Sequence, residues 1–267
     1  MAGKRIADAF SRARARGRAA FIPYLTAGDP DLAWTGRYLD RLTASGADIL
    51  ELGVPFSDPI ADGPVNQRSS ERALRARTTL SGILDLVRRK REAGFETPVV
   101  LFSYFNPILR MGVDRFAGAA ARAGVDGVLV VDLPPEEGKD YRASLAAAGL
   151  DTIFLASPTT SAERLERIDA ASTGFVYYVS RLGVTGTRTA LADSLAADLE
   201  RARRKIVKPL AVGFGISTPE QAAAVAAMAD GVVVGSALVK LLEGPDPEKA
   251  ADALEKTAAE LIAALGK

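Results

Sequence analysis

Between Pro98 and Val131 the chain reads PVVLF, then SYFNPILRMGVDRFAGAAARAGVD, then GVLVV. Two short β-rich runs flank a longer stretch that stops at Gly124, a residue suited to ending a helix. The same alternation continues in both directions. Candidate strands are Phe21–Thr26, Asp48–Leu52, Pro98–Phe102 and Gly127–Val131, followed by Thr152–Ala156, Gly174–Val179, Pro209–Gly213 and Gly231–Val234. The runs between them carry apolar residues at helical spacing, as in Leu80, Ile83, Leu84 and Val87, or Leu165 and Ile168. Serial strand–helix alternation implies a parallel sheet with right-handed crossovers. Eight such units in 267 residues fit an α/β closed (β/α)8 TIM barrel better than an open sheet.

Local punctuation agrees. Asp29-Pro30 reads as a helix N-cap followed by proline in the first turn. Thr160 with Glu163, and Ser217 with Glu220, read as capping boxes. Gly46, Gly94, Gly124 and Gly149 stand where helices should stop. No linker or composition shift divides the chain, and no sequence repeat of fixed period is visible, so residues 1–267 read as one barrel domain. Residues 1–18 read as an extra N-terminal helix capping it, with Ile6, Phe10 and Ala13 on one face. Six basic residues against the single acid Asp8 between residues 4 and 18 also suit a transit peptide. The strand beginning at Phe21 favours the structural helix.

Composition excludes whole classes of chemistry. The chain has no histidine and no cysteine. Thiol catalysis, disulfides, Cys/His zinc sites and Ser-His-Asp triads are therefore out of reach. Acid–base work falls to Asp, Glu, Lys or Tyr. With 34 basic and 33 acidic residues the net charge is +1, which gives no pull toward nucleic acid or an anionic membrane. The basic runs Arg88–Arg91 and Arg201–Lys205 close helices, where cations suit the macrodipole. No apolar run approaches the ~18 residues of a membrane span. The absence of cysteine is compatible with the cytoplasm, the expected location.

In such a barrel, chemistry sits beyond the C-terminal ends of the strands. If Leu50 and Leu52 face the helices, Ile49 and Glu51 face the interior. Glu51 then stands at the floor of the mouth, where apolar surroundings raise its pKa and suit it to donate a proton. A buried glutamate paired with Lys or Arg is the structural alternative. Asp62 follows in a more solvated loop, and two carboxylates in unlike environments can divide acid and base roles. The spacing of Asp58, Asp62 and Gly63 does not complete a calcium loop, because Ile60 and Ser69 occupy ligand positions. Glycine-bearing loops follow the sixth, seventh and eighth strands, at Gly183–Gly186, Gly213–Ser217 and Gly235-Ser236. The last two lead into helix starts and suit a phosphate, although tight turns alone would also use glycine. Gly213-x-Gly215 lacks the third glycine of a dinucleotide fingerprint, and no P-loop is present.

The segment ELGVPFSDPIADGP, Glu51 to Pro64, closely resembles the signature of the tryptophan synthase alpha subunit family. Phe21–Pro30, Ser180–Gly186, Gly213–Ser217 and Gly235–Lys240 match in order, so the resemblance spans nearly the whole chain. It implies a lyase that cleaves indole-3-glycerol phosphate by a retro-aldol reaction to indole and glyceraldehyde 3-phosphate. It implies Glu51, Asp62 and Tyr177 as catalytic, and Gly186, Gly213, Phe214, Gly215, Gly235 and Ser236 at the substrate and its phosphate. Thr185 matches a lid residue, and Tyr24, Phe102, Leu129, Val131 and Leu155 match an indole pocket. Val131 and Tyr24 depart from residues common there, alanine or proline and phenylalanine. The implied partner is a beta subunit in an alpha2-beta2 tetramer, contacted through Asp58, Pro59, Asn106, Pro107 and Pro134. The resemblance places pyridoxal phosphate only in that partner, and implies no cofactor and no metal in this chain. Alternatives are another sugar-phosphate barrel enzyme, a stand-alone lyase that releases indole, or an idle activator subunit. Retention of Glu51, Asp62 and Tyr177 argues against the last.

Overall fold

A computed structural model describes residues 4–180, 188–213 and 215–266, the side chains of 188–194 excepted. Eight parallel strands close into a barrel in sequence order. They are β1 (Ala20–Thr26), β2 (Leu50–Gly53), β3 (Val99–Ser103), β4 (Gly127–Val130), β5 (Asp151–Ala156), β6 (Val176–Val179), β7 (Leu210–Gly213) and β8 (Gly231–Val234). The helices of the first half are α1 (Lys4–Ala15), α2 (Leu32–Ala44), α3 (Pro64–Arg75), α4 (Leu80–Glu92), α5 (Phe105–Met111) and α6 (Val113–Ala123). Those of the second half are α7 (Lys139–Ala147), α8 (Ala162–Ala171), α9 (Arg188–Arg203), α10 (Pro219–Ala226), α11 (Ser236–Leu241) and α12 (Pro247–Ala263).

Side-chain alternation along the strands divides the core in two. Leu50, Leu52, Leu101 and Val128 join the shell between strands and helices. Ile22, Ile49, Val100, Leu129, Ile153, Phe175 and Val233 fill the barrel itself. The expected facing of Ile49 and Leu50 therefore holds. Helix α1 belongs to the inner cluster through Ile6, Ala9, Phe10 and Ala13. Phe10 meets Phe175 with ring centroids 5.6 Å apart. Those contacts lie at the N-terminal ends of the strands, opposite the mouth.

Strand ends and caps differ locally from the sequence reading. β2 starts at Leu50 and β6 at Val176, each two residues later than expected; ahead of them Asp48 and Thr173 accept from the N–H groups of Phe21 and Thr152. The cap of α2 is Asp31, which accepts from the Trp34 N–H at 2.8 Å. Asp29 is instead fully buried, accepting from Ser69 at 2.6 Å and from Arg72 at 2.8 and 2.6 Å. Ser161, not Thr160, caps α8, while Thr160 accepts from the Ser157 N–H. The capping box of α10 is Thr218 with Gln221, one residue beyond the expected pair, because Pro219 occupies the first turn. Gly46, Gly94, Gly124 and Gly149 all adopt positive φ, as helix-ending glycines do.

Candidate active site

Glu51 is the second residue of β2 and points into the barrel, where it is 1% exposed. Neither carboxyl oxygen has a hydrogen-bond partner among the described residues. Among the described residues no cation pairs it, which speaks against the buried-ion-pair alternative. Burial disfavours the charged form and pushes its pKa up to about 8. Near neutral pH this carboxyl holds a proton that it can donate.

Glu51 opens into a cavity of about 240 Å³ at the C-terminal mouth of the barrel. Asp62, Tyr24, Phe102 and Tyr177 share its wall with Gly215, Gly235 and Ser236. One chamber thus collects both carboxylates, Tyr177, two of the indole-pocket candidates and three of the phosphate candidates. Tyr24 and Phe102 meet edge to face at 5.3 Å, forming an aromatic wall. Burial raises the pKa of Tyr24 and Tyr177 well above the phenolic range, so both stay neutral.

Other candidates lie apart from this chamber. Leu129 is fully buried in the barrel core, with Val131 and Leu155 packed against that core. Leu155 and Val179 line a neighbouring groove. Gly213 is not in the wall, because the Tyr177 hydroxyl lies where its Cβ would stand. Gly53 holds the same relation to the Tyr24 hydroxyl. Both glycines let an inward tyrosine lie across the strand end. Thr185, Gly186 and Phe214 lie outside the described residues.

The sequence reading missed Tyr104, the residue that holds Asp62. Tyr104 follows β3 and is 3% exposed. Its hydroxyl donates to Asp62 Oδ2 at 2.9 Å and accepts from the Ala61 N–H at 2.9 Å. Burial raises the Asp62 pKa, and hydrogen bonds from Tyr104 and Asn66 oppose that rise. Asn66, Ile216 and Val233 also line the chamber unanticipated. Hydrophobic spacing around 104 gives no sign of its task, since the contact spans 42 positions. The Tyr104 ring rests on Phe56 at 5.1 Å. Phe56, Asp58, Pro59, Ile60 and Leu74 line an outward groove in which Ile60 is 86% exposed. Asn106 is exposed, and Pro107 and Pro134 are half-buried.

The family profile described as Tryptophan synthase alpha chain matches residues 10–265. The chain belongs to that family. The tryptophan synthase alpha chain of Geobacter sulfurreducens is 55% identical over 239 residues, covering 90% of each chain. That of Burkholderia pseudomallei is 52% identical over 261 residues, covering 98% of this chain and 96% of its own. Among solved structures, tryptophan synthase subunit alpha from Legionella pneumophila superposes with a TM-score of 0.91. It is 42% identical and covers 99% of this chain and 98% of that one. The aminoacrylate-bound tryptophan synthase of M. tuberculosis gives a TM-score of 0.87 at 37% identity, covering 98% of this chain and 99% of that one. Tryptophan synthase alpha chains are lyases that cleave indole-3-glycerol phosphate. A barrel whose mouth brings a protonated glutamate, a second carboxylate and two glycine loops into one chamber suits that substrate.

Proposed function

We propose that this chain cleaves indole-3-glycerol phosphate with Glu51 as the proton donor and Asp62 as the counter-charge. The observation that carries the reading is the Glu51 carboxyl, buried, without a partner and protonated to about pH 8, in the same chamber as Asp62. Cleavage requires a proton on the indole ring carbon that bears the side chain, which disrupts aromaticity and places positive charge on the ring nitrogen. Glu51 supplies that proton. Asp62 accepts the ring N–H and stabilises the cation. The side-chain hydroxyl proton then leaves to the Glu51 carboxylate as the carbon–carbon bond breaks. Indole and an aldehyde are released, and the acid is restored.

The phosphate lies at Gly215, Gly235 and Ser236, with Gly186, Gly213 and Phe214 as further contacts, on the glycine-rich loops after β6, β7 and β8. Tyr24 and Phe102 flank the indole, and Tyr177 packs beside Glu51. Leu129, Val131 and Leu155 bound the same end of the pocket, and Thr185 serves as the lid residue that positions Asp62. No cofactor enters these steps.

The partner is a pyridoxal-phosphate beta subunit in an alpha2-beta2 tetramer, which takes up the indole. The apolar groove at Phe56, Pro59, Ile60 and Leu74 supports a docking face there, as does Leu109, 57% exposed beside Asn106 and Pro107. Pro134 extends that face. Among the described residues no helix is long and apolar enough to cross a membrane, and we place the chain in the cytoplasm. The reading is tested by indole release from indole-3-glycerol phosphate by the purified chain, with and without a beta subunit. Turnover in at least one condition is expected, faster with the partner. No turnover in either overturns the lyase reading.

A further inference from the structure

The foot of the barrel, opposite the active site, carries a four-fold pattern. Asp48, Asp126, Thr173 and Asp230 stand just ahead of β2, β4, β6 and β8. Their backbone N–H groups donate to the carbonyls of Phe21, Val99, Thr152 and Leu210 at 3.0, 2.9, 2.9 and 2.9 Å. Their side-chain oxygens accept the N–H of those same residues at 2.8, 2.9, 2.9 and 2.8 Å. The reciprocal bonds make the four stations structurally equivalent.

Three stations are each completed by arginine, with Arg5 and Arg14 adding second contacts at Asp126 and Asp230. Arg18 donates to Asp48 at 2.5 and 3.0 Å, Arg91 donates to Asp126 at 2.7 Å, and Arg203 donates to Asp230. A carboxylate withdrawn from water calls for such a cation. At the fourth station Thr173 replaces the aspartate, and a carboxylate comes instead from Asp151, next to Thr152. Asp151 is 8% exposed and takes a hydrogen bond from Thr173, but its Oδ2 has no partner. Among the described residues no Lys or Arg pairs with it. The buried Nε of Arg142 also has no partner. Both residues line a groove of about 510 Å³ between α7 and α8, with Lys139 and the apolar Ala146, Leu150 and Ala171. Buried polar atoms of this kind call for a reason.

We propose that this groove binds a small zwitterion of the α-amino-acid class. The ligand ammonium meets Asp151 Oδ2, as the molecule's own arginines meet the other three carboxylates. The ligand carboxylate meets Arg142 and Lys139. A simple monocation leaves the buried Arg142 Nε unanswered, and a simple anion leaves Asp151 Oδ2 unanswered. The side chain of the ligand lies against the small apolar wall. Burial holds the Asp151 carboxyl above the usual range, and a bound ammonium opposes that shift. The site lies at the other end of the barrel from Glu51, so its ligand stabilises the fold without competing with substrate.

The test is titration of the full chain with glycine, L-alanine, L-serine, L-glutamate and L-phenylalanine, followed by calorimetry and amide NMR. Methylammonium chloride and sodium acetate serve as half-ligands. At least one amino acid is expected to bind saturably with a Kd of about 1 mM or lower. Its amide shifts should centre on Ala146, Ala171 and Thr173. Asp151→Asn and Arg142→Gln should each weaken binding at least about tenfold, one decade in Kd. Each half-ligand should bind at least as much more weakly than the amino acid. The proposal is overturned by the absence of saturable shifts up to about 10 mM, a concentration that would detect even weak binding. Shifts confined to the chamber around Glu51, methylammonium binding as tight as the amino acid, or undiminished affinity in Asp151→Asn would each also overturn it. If Asp151→Asn does not fold, Arg142→Gln, on the half-buried face of α7, decides by itself.

Discussion

Glu51 and Asp62 show how two carboxyl groups diverge through their surroundings alone. Among the described residues Glu51 has no hydrogen-bond partner, and burial pushes its pKa up to about 8. Burial raises the Asp62 pKa too, but the Tyr104 hydroxyl at 2.9 Å opposes that rise. The divergence has a stability signature. The folded pKa of Glu51 lies above its unfolded value of about 4.3. Its stabilising contribution is therefore full below about pH 4.3 and is lost as pH climbs to about 8. Glu51→Gln cannot ionise and should melt several degrees above wild type at about pH 9, with little difference at about pH 4, in thermal unfolding followed by circular dichroism. Equal melting temperatures at both pH values would contradict the buried, unpaired glutamate. Tyr104→Phe keeps the ring on Phe56 and removes only the hydroxyl. Losing one hydrogen bond to a charged group, about 1.5–3 kcal/mol, should lower kcat/KM for indole release roughly 10- to 100-fold. An unchanged kcat/KM would deny Tyr104 its positioning task. Glu51 was legible in the sequence because strand alternation alone turns it inward. Tyr104 was not, because its role exists only once β3 brings it to the Asp62 loop.

At the scale of elements, all eight strands lie within two residues of where alternation puts them and the four glycine stops end helices, while the errors concentrate at caps. The reason is physical. Several neighbouring Asp, Ser and Thr residues can each cap a helix locally, and tertiary contacts choose among them. Asp29 illustrates the competition. It reads as a cap for α2, yet Arg72 and Ser69 of α3 draw it inward, and Asp31 takes the cap. The Asp29–Arg72 pair thereby ties the β1–α2 loop to α3, the helix that follows Asp62. Arg72→Ala leaves a fully buried carboxylate unpaired, a loss on the order of 3–5 kcal/mol. For a chain of this size the melting temperature should drop by roughly 10 °C. Asp29→Asn combined with Arg72→Ala should recover part of that loss. A drop of less than about 2 °C in the single variant would show the pair to be dispensable.

At the scale of the molecule, the barrel separates stability from chemistry along its axis. The foot is closed by α1 and by Asp–Arg pairs, and the mouth gathers Glu51 and Asp62 with Gly215 and Gly235. Closure from below keeps water out of the inner core that burial of Glu51 depends on. Phe10→Ala removes the ring that meets Phe175 and should cost about 3–5 kcal/mol, read as a lowered denaturant midpoint. An unchanged midpoint would show that α1 is not part of the cooperative core. The absence of histidine and cysteine, legible at once, fits this division, since the titratable groups lining the chamber, among the described residues, are the carboxyls of Glu51 and Asp62 and the phenols of Tyr24 and Tyr177. The four-fold foot was not legible, because its stations share hydrogen bonds rather than a spacing in the chain.

The central claim is that the proton reaching the indole ring comes from Glu51. It is tested most directly by the single-turnover rate of indole release from indole-3-glycerol phosphate by Glu51→Gln, beside wild type, both with a beta subunit at saturation. Near-complete loss of cleavage is expected, with native circular dichroism and a melting temperature no lower than wild type. A wild-type rate in the folded variant would contradict it.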